Sequence, residues 1–131
     1  MGDPVVQWQV ITKEPEKHAA FYATVFGWRI SANNPLGYRM ADTDSERGIP
    51  GGFWPAPPEA QAFVQLYIEV ADVAKTIEQV TVNGGSVLIP PQSLPNGEQM
   101  AVLRDPLGVT FGIVLPKKRH LAYTDGTGPS G

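Results

Sequence analysis

Val6-Gln7-Trp8-Gln9-Val10 and Val64-Gln65-Leu66-Tyr67-Ile68 are near-copies of one another, 58 residues apart. Each is an alternating, strand-like run followed by a helix-patterned stretch, over 15–26 in the first copy and 73–83 in the second. Each helix is expected to stop at a glycine, Gly27 or Gly85, and to run into a new apolar strand, Trp28-Arg29-Ile30 or Ser86-Val87-Leu88. The offset that carries Gln7 onto Gln65 also carries Gly27 onto Gly85. A unit this short cannot bury its own core, so the two copies are expected to pack together with a cleft between them. Function is expected in that cleft.

Bulk composition narrows the classes. The chain has 131 residues, enough for one domain with a real core, and an apolar fraction of 42%, ordinary for a globular protein. It contains no cysteine, which excludes disulfides and thiolate chemistry and fits a cytoplasmic setting. No apolar run is long enough to cross a bilayer and no leader pattern stands at the N-terminus, so no membrane partner is expected. A net charge of −3 argues against nucleic acid. Lys117-Lys118-Arg119-His120, the one basic run, reads as the start of a solvated, flexible tail over 117–131.

Expected elements are a strand over 4–12, a helix with Pro15 in its first turn, and three short strands near 28–32, 37–41 and 48–54. A Pro-rich link over 55–60 leads to the second copy: a strand over 63–70, a helix, and strands near 86–89, 99–103 and 110–115. The expectation is a single domain over 1–131, made of modules at 4–56 and 62–116. Asn83-Gly84-Gly85 reads as a helix stop and Asp105-Pro106-Leu107-Gly108 as a turn.

Strand alternation assigns the faces. Val6, Trp8 and Val10 should face the first helix, and Val64, Leu66, Ile68 and Val70 the second. Gln7, Gln9 and Ile11, with Gln65, Tyr67 and Glu69, then point to the opposite side, where Trp54 and Met100 are also expected. Polar groups recurring at equivalent places beside aromatic ones describe a small-molecule pocket rather than a merely wet face.

The doubled unit, with Phe21-Tyr22, Phe26-Gly27-Trp28, Asn83-Gly84-Gly85 and Asp105-Pro106-Leu107-Gly108, resembles the vicinal oxygen chelate superfamily. That group includes glyoxalase I, extradiol dioxygenases, fosfomycin-resistance enzymes and bleomycin-resistance proteins. The resemblance implies an α+β fold of two βαβββ modules whose sheets curl into a cup, within a homodimer. It also implies four cup-lining ligands to a divalent ion, one on the first and one on the last strand of each module, typically His, Gln or Glu. In this chain those positions fall on Gln7, Gln65, Gly52 and Gly112. Two neutral carboxamides and two glycines do not replace the waters of a divalent cation, so no metal and no other cofactor is expected. His18 sits on the first helix and His120 in the tail, and neither completes a ligand set.

The expected ligand-binding set is therefore Gln7, Gln9, Gly52, Trp54, Gln65, Tyr67, Met100, Arg104 and Gly112. Glycine at 52 and 112 is expected to leave volume at the cup floor and to bare the backbone to a ligand. Arg104 is a candidate clamp for a ligand carboxylate, and Glu69 the one candidate catalytic acid or base. No phosphate-cradling glycine loop is present, and no serine has a histidine placed to activate it. The leading expectation is a metal-free binder of a small organic molecule. Its rivals are an enzyme of the same superfamily, metal-assisted or using Glu69, and a dimeric interaction module.

Overall fold

The computed structural model describes residues 2–32, 38–57, 59–95 and 97–116. The expected tail, including the basic run and His120, lies outside them, as do residues 33–37. In chain order the elements are β1 Val5–Thr12, α1 Pro15–Phe26, β2 Arg29–Ser31, β3 Arg39–Asp42, β4 Gly51–Pro55, β5 Phe63–Glu69, α2 Val73–Val82, β6 Ser86–Ser93, β7 Gln99–Arg104 and β8 Thr110–Leu115. The fold is α+β: a strand–helix–three-strand unit occurs twice, and the two units join into one curled, mixed sheet of order β2-β3-β4-β1-β5-β8-β7-β6.

The seam between the units is the antiparallel pair β1–β5, where Gln7 lies opposite Tyr67 and Gln9 opposite Gln65. A rotation that exchanges the units takes Gln7 to Gln65 and Gln9 to Tyr67, so this register is itself two-fold. Each first strand then runs parallel to its own last strand, with Gln9 beside Gly52 and Tyr67 beside Gly112. A bulge between Val5 and Gln7 breaks the alternation. Val6, expected under α1, packs instead with the cup-side cluster of Trp54, Tyr67, Met100 and Val114.

The helices are fixed by different end chemistry. α1 opens on Pro15 without a side-chain cap and closes on Gly27, whose φ of 73° is left-handed and whose N–H reaches Ala23 O at 3.0 Å. α2 is capped by Asp72, whose carboxylate accepts from the Lys75 N–H at 2.9 Å. Its left-handed residue is Gly84, with φ 94°, not Gly85. Gly85 is required for space: a Cβ there would come within 2.6 Å of Val80 Cγ1 and 2.7 Å of the Arg104 carbonyl. The sequence match of Gly27 to Gly85 thus joins a conformational glycine to a contact glycine.

Two clusters fill the outer side of the sheet. Val10, Ala19, Ala41 and Phe53 pack with Trp8, Tyr22, Trp28 and Ile30 under α1. Val70, Val73, Ala101, Leu103 and Ile113 pack with Ile77, Val80 and Phe111 under α2. One expectation fails here. Val64 and Leu66 were placed beneath the second helix but are 64% and 49% exposed. The reason is lateral: α1 lies on β1–β4 and α2 on β6–β8, which leaves Val64 and Leu66 on the outer face of β5 uncovered while Ile68 reaches the cluster under α2.

Candidate functional site

The cup face is assembled from the seam outward. Gln9, Gln65 and Tyr67 are buried to 0%, 4% and 1% exposure, unusual for two carboxamides on a sheet surface. Within each unit the two first-strand positions are joined along the strand. Gln9 Nε2 donates to Gln7 Oε1, and Gln65 Nε2 donates to the Tyr67 hydroxyl at 2.9 Å. These bonds use the amide nitrogens and leave the other ends of Gln9 and Gln65 over. Gln9 Oε1, Gln65 Oε1 and the Trp54 indole Nε1 are all buried and have no hydrogen-bond partner among the described residues.

The last strands supply the walls. Trp54 lies beside Ile11, two residues beyond the Gly52 that neighbours Gln9. Its ring stacks on Tyr38 at 4.4 Å and leans on Tyr67 at 5.5 Å. Met100 and Val114, cross-strand partners on β7 and β8, close the opposite wall, and Leu94 and Ile11 pack against the same cluster. Burial pushes the Tyr67 phenol up to about 12 against the opposing pull of the Gln65 bond, so at neutral pH it holds its proton. Burial likewise raises Tyr38.

The glycines do not open the floor as expected. A Cβ at Gly112 would lie 2.2 Å from Tyr67 ring carbons, and one at Gly52 would meet the Arg39 carbonyl at 2.7 Å, Gln9 Oε1 at 3.0 Å and Met40 Sδ at 3.2 Å. Gly112 is the seat of the Tyr67 ring, and Gly52 the ground beneath the Gln9 carboxamide. Their contribution is to let those side chains lie flat.

The structure brings Gln7, Gln9, Trp54, Gln65, Tyr67 and Met100 to one face, with Gly52 and Gly112 under them. Glu69, buried and two residues past Tyr67, belongs to the same face. Arg104 is exposed at the end of β7, opposite Thr110 and away from the Trp54–Met100 cluster. Sequence reasoning missed Tyr38, Met40 and Leu94. Tyr38 and Met40 carried a usable signal, since they alternate onto the face of Gly52 through the Met40–Gly52 pairing. Leu94 carried none, because only the curl of the sheet brings the β6–β7 turn over the cup.

The donor set does not suit the divalent ion that the resemblance implies. Gln7 and Gln65 bring neutral oxygens, Gly52 and Gly112 bring no side chain, and no three His, Asp or Glu side chains converge among the described residues.

Residues 5–113 match the model of the Glyoxalase/Bleomycin resistance protein/Dioxygenase superfamily. The chain belongs to this superfamily. Among curated relatives, proteins of Mycobacterium bovis and Mycobacterium tuberculosis carrying the name "Putative glyoxylase CFP32" are each 30% identical over 112 residues, covering 79% of this chain. This chain spans 42% of the length of those relatives. Solved structures with the same architecture include a Streptomyces coelicolor methylmalonyl-CoA epimerase in complex with 2-nitronate-propionyl-CoA. It has a TM-score of 0.59 and 17% identity, covering 88% of this chain and 99% of that one. A Bacillus halodurans C-125 hypothetical protein reaches a TM-score of 0.66 at 15% identity, over 92% and 99%. The Mycobacterium tuberculosis methylmalonyl-CoA epimerase reaches 0.60 at 12%, over 86% and 87%. At these identities the likeness is one of fold.

Proposed function

We propose that this superfamily member binds a small organic molecule in its cup by hydrogen bonds and apolar contact, without the divalent ion of its metal-dependent relatives. The observation that carries this reading is the group of three buried polar atoms without partners on one face: Gln9 Oε1, Gln65 Oε1 and Trp54 Nε1. Leaving such groups unpaired costs about 1–3 kcal/mol each, and a ligand that displaces the side chains closing over them and pairs them recovers it. Gln7 and Tyr67 hold the two carboxamides in place, Gly52 and Gly112 seat them, and Met100 forms an apolar wall. The acidic net charge and the absence of cysteine favour a cytoplasmic protein with no nucleic-acid partner.

The test is metal content by mass spectrometry after incubation with Zn, Ni, Mn and Fe(II), paired with a ligand screen by thermal shift. Substoichiometric metal is expected, along with ligands whose stabilisation is lost in the Gln7→Ala/Gln65→Ala double variant. One ion per chain, lost in Gln7→Ala, would overturn the reading and make a metal-assisted lyase, isomerase or dioxygenase the better one.

One observation favours a catalytic version of the same site. Glu69 is a buried carboxylate on the cup side of β5, where it could move a proton to or from a bound ligand. In that case Glu69→Gln abolishes turnover while binding and fold survive. A homodimer is a further proposal, supported by the bare first half of the outer face of β5. Val64 and Leu66 offer apolar surface there, and Leu66→Glu should leave a dimer dissociated in sedimentation velocity.

A further inference from the structure

The cup as it stands is shut. Gln9 Oε1, Gln65 Oε1 and Trp54 Nε1 are closed off from solvent, so a ligand reaches them only after a lining side chain has moved. On the reading that the cup takes an organic molecule, we propose that Tyr38 is its door. The Tyr38 ring swings off Trp54 into solvent, and a flat aromatic group of the ligand takes its place.

The register identifies the two walls. Met40 on β3 pairs with Gly52 on β4, and Val102 on β7 pairs with Gly112 on β8. Two residues before each of the first and two after each glycine stand the wall pairs, Tyr38 with Trp54 and Met100 with Val114. These pairs are equivalent in the repeat and unequal in how they are held. Met100 is a ladder residue of β7, buried at 7% exposure. Tyr38 stands one residue before β3, whose pairing with β4 opens at Arg39 and Phe53, and it is only half-buried. A half-exposed ring there leaves by rotation about χ1, without parting a strand pair.

The rest of the lining is tied more firmly. Tyr67 is 1% exposed, lies over Gly112 and accepts from Gln65. Ile11 stands in β1 between Trp54 on β4 and Phe63 on β5. Leu94 is half-buried, but its N–H reaches Glu98 O at 2.8 Å and its carbonyl accepts from Gly97 N–H at 2.9 Å, closing its turn. The ring that leaves also defines what enters. Tyr38 stacks on Trp54 at 4.4 Å and 23°, so the vacated slot is one ring thick with an indole face for a wall. Tyr67 stays against the same indole at 5.5 Å when the door opens.

Two probes test this on the 15N-labelled full chain: p-cresol, which is the tyrosine side chain as a free molecule, and 4-methylcyclohexanol, its puckered counterpart. Binding is read on the Trp54 indole N–H resonance, with Trp8 as internal control, since its Nε1 donates to the Ile49 carbonyl at 3.1 Å. Tyr38→Ala is expected to bind p-cresol roughly tenfold or more tightly than the wild type, where only chains with the door open bind. It should also prefer p-cresol to 4-methylcyclohexanol. Solvent exchange of the Trp54 indole N–H supplies a second readout. That group is buried with no hydrogen-bond partner among the described residues, so exclusion of water is what slows its exchange. Tyr38→Ala should speed it roughly tenfold or more, and Tyr38→Phe, which keeps the ring, should not. Equal p-cresol affinity in wild type and Tyr38→Ala overturns the door and leaves an organic-ligand cup. Faster exchange in Leu94→Ala but not in Tyr38→Ala does the same. Equal binding of the flat and puckered probes overturns the aromatic assignment. Failure of both probes to move Trp54 in either chain overturns the organic-ligand reading, and the door as an entrance with it.

Discussion

In the first module an aromatic ring lies flat over a last-strand glycine on the helix side of the sheet; in the second, the ring over the glycine is on the cup side. Trp8 sits on Gly51, where a Cβ would approach its ring within 2.1 Å, and Tyr67 sits on Gly112, within 2.2 Å. One strand plan therefore seats a ring on either face, and the face chosen decides what remains for the other. Module one seats Trp8 beneath α1 with Tyr22, Trp28 and Phe53, and offers the cup Gln7 and Gln9 from its first strand and Trp54 from its last. Module two sends Tyr67 into the cup, keeps an aliphatic wall under α2, and leaves Leu66, the counterpart of Trp8, exposed. On the first strands the cup therefore pairs two carboxamides from module one with one carboxamide and one phenol from module two.

The largest expected effect tests the aromatic wall. Phe53 is fully buried, stands edge-on to Trp8 at 5.9 Å and lies 5.7 Å from Tyr22. Phe53→Ala should cost about 3–5 kcal/mol in urea denaturation. A loss under about 1 kcal/mol would mean that α1 is held by something other than these rings.

Next comes a difference that only pH reveals. The ring over glycine in module two titrates, and the one in module one does not. Tyr67 has its pKa raised from 10.0 to about 12 by burial, so its contribution is fully present below pH 10 and is lost as pH rises through about 12. The loss amounts to roughly 3 kcal/mol, seen as alkaline unfolding followed by near-UV circular dichroism. Tyr67→Phe should flatten that limb. An unchanged limb in Tyr67→Phe would assign the alkaline transition to other groups.

Smaller still are the seats themselves. Gly51→Ala and Gly112→Ala should each cost about 1–3 kcal/mol, because a rigid ring must shift for the new methyl group. The two should part in ligand binding. Gly112→Ala displaces Tyr67 and loosens its hold on Gln65, whereas Gly51→Ala disturbs only the wall behind the sheet. Equal loss of ligand affinity in both would erase the functional side of the comparison.

The fold was legible in the chain because the repeat states it twice. Gln7 and Gln65 at a fixed offset, strand alternation, Pro15 and Asp105-Pro106-Leu107-Gly108 each depend on local chemistry that sequence displays. The turn forms through local bonds: Gly108 N–H reaches Asp105 O at 3.0 Å, and Asp105 Oδ1 accepts from Leu107 and Val109. What was not legible depends on lateral placement. Nothing in Val64 and Leu66 says that α2 lies over β6–β8 and stops short of them, and nothing in Val6 announces a bulge. Gly112 reads as empty space in one dimension and is a ring's seat in three. The residues proposed for the cup could be named one by one, but their hydrogen bonds and the three unpaired atoms are properties of a register that only the β1–β5 seam defines.

The smallest expected effect lies at the helix starts. α2 has the Asp72 cap, and α1 begins at Glu14, which makes no side-chain cap bond and instead pairs with Lys17 at 2.9 Å. That exposed bond, with the Lys17 charge, holds the Glu14 carboxyl below its usual range, but a solvent-screened pair of this kind adds little to stability. Asp72→Ala should therefore cost about 1 kcal/mol, whereas Glu14→Ser should leave stability unchanged or raise it by a few tenths of a kcal/mol by supplying the hydroxyl acceptor that α1 lacks. The φ of −129° at Glu14 is extended enough for a capping residue, and Pro15 already fixes the first turn. Chemical denaturation of the two variants side by side decides the point. If Glu14→Ser costs as much as Asp72→Ala, the Glu14–Lys17 pair is acting as the missing cap, and the two modules are closer in their helix starts than in the faces of their sheets.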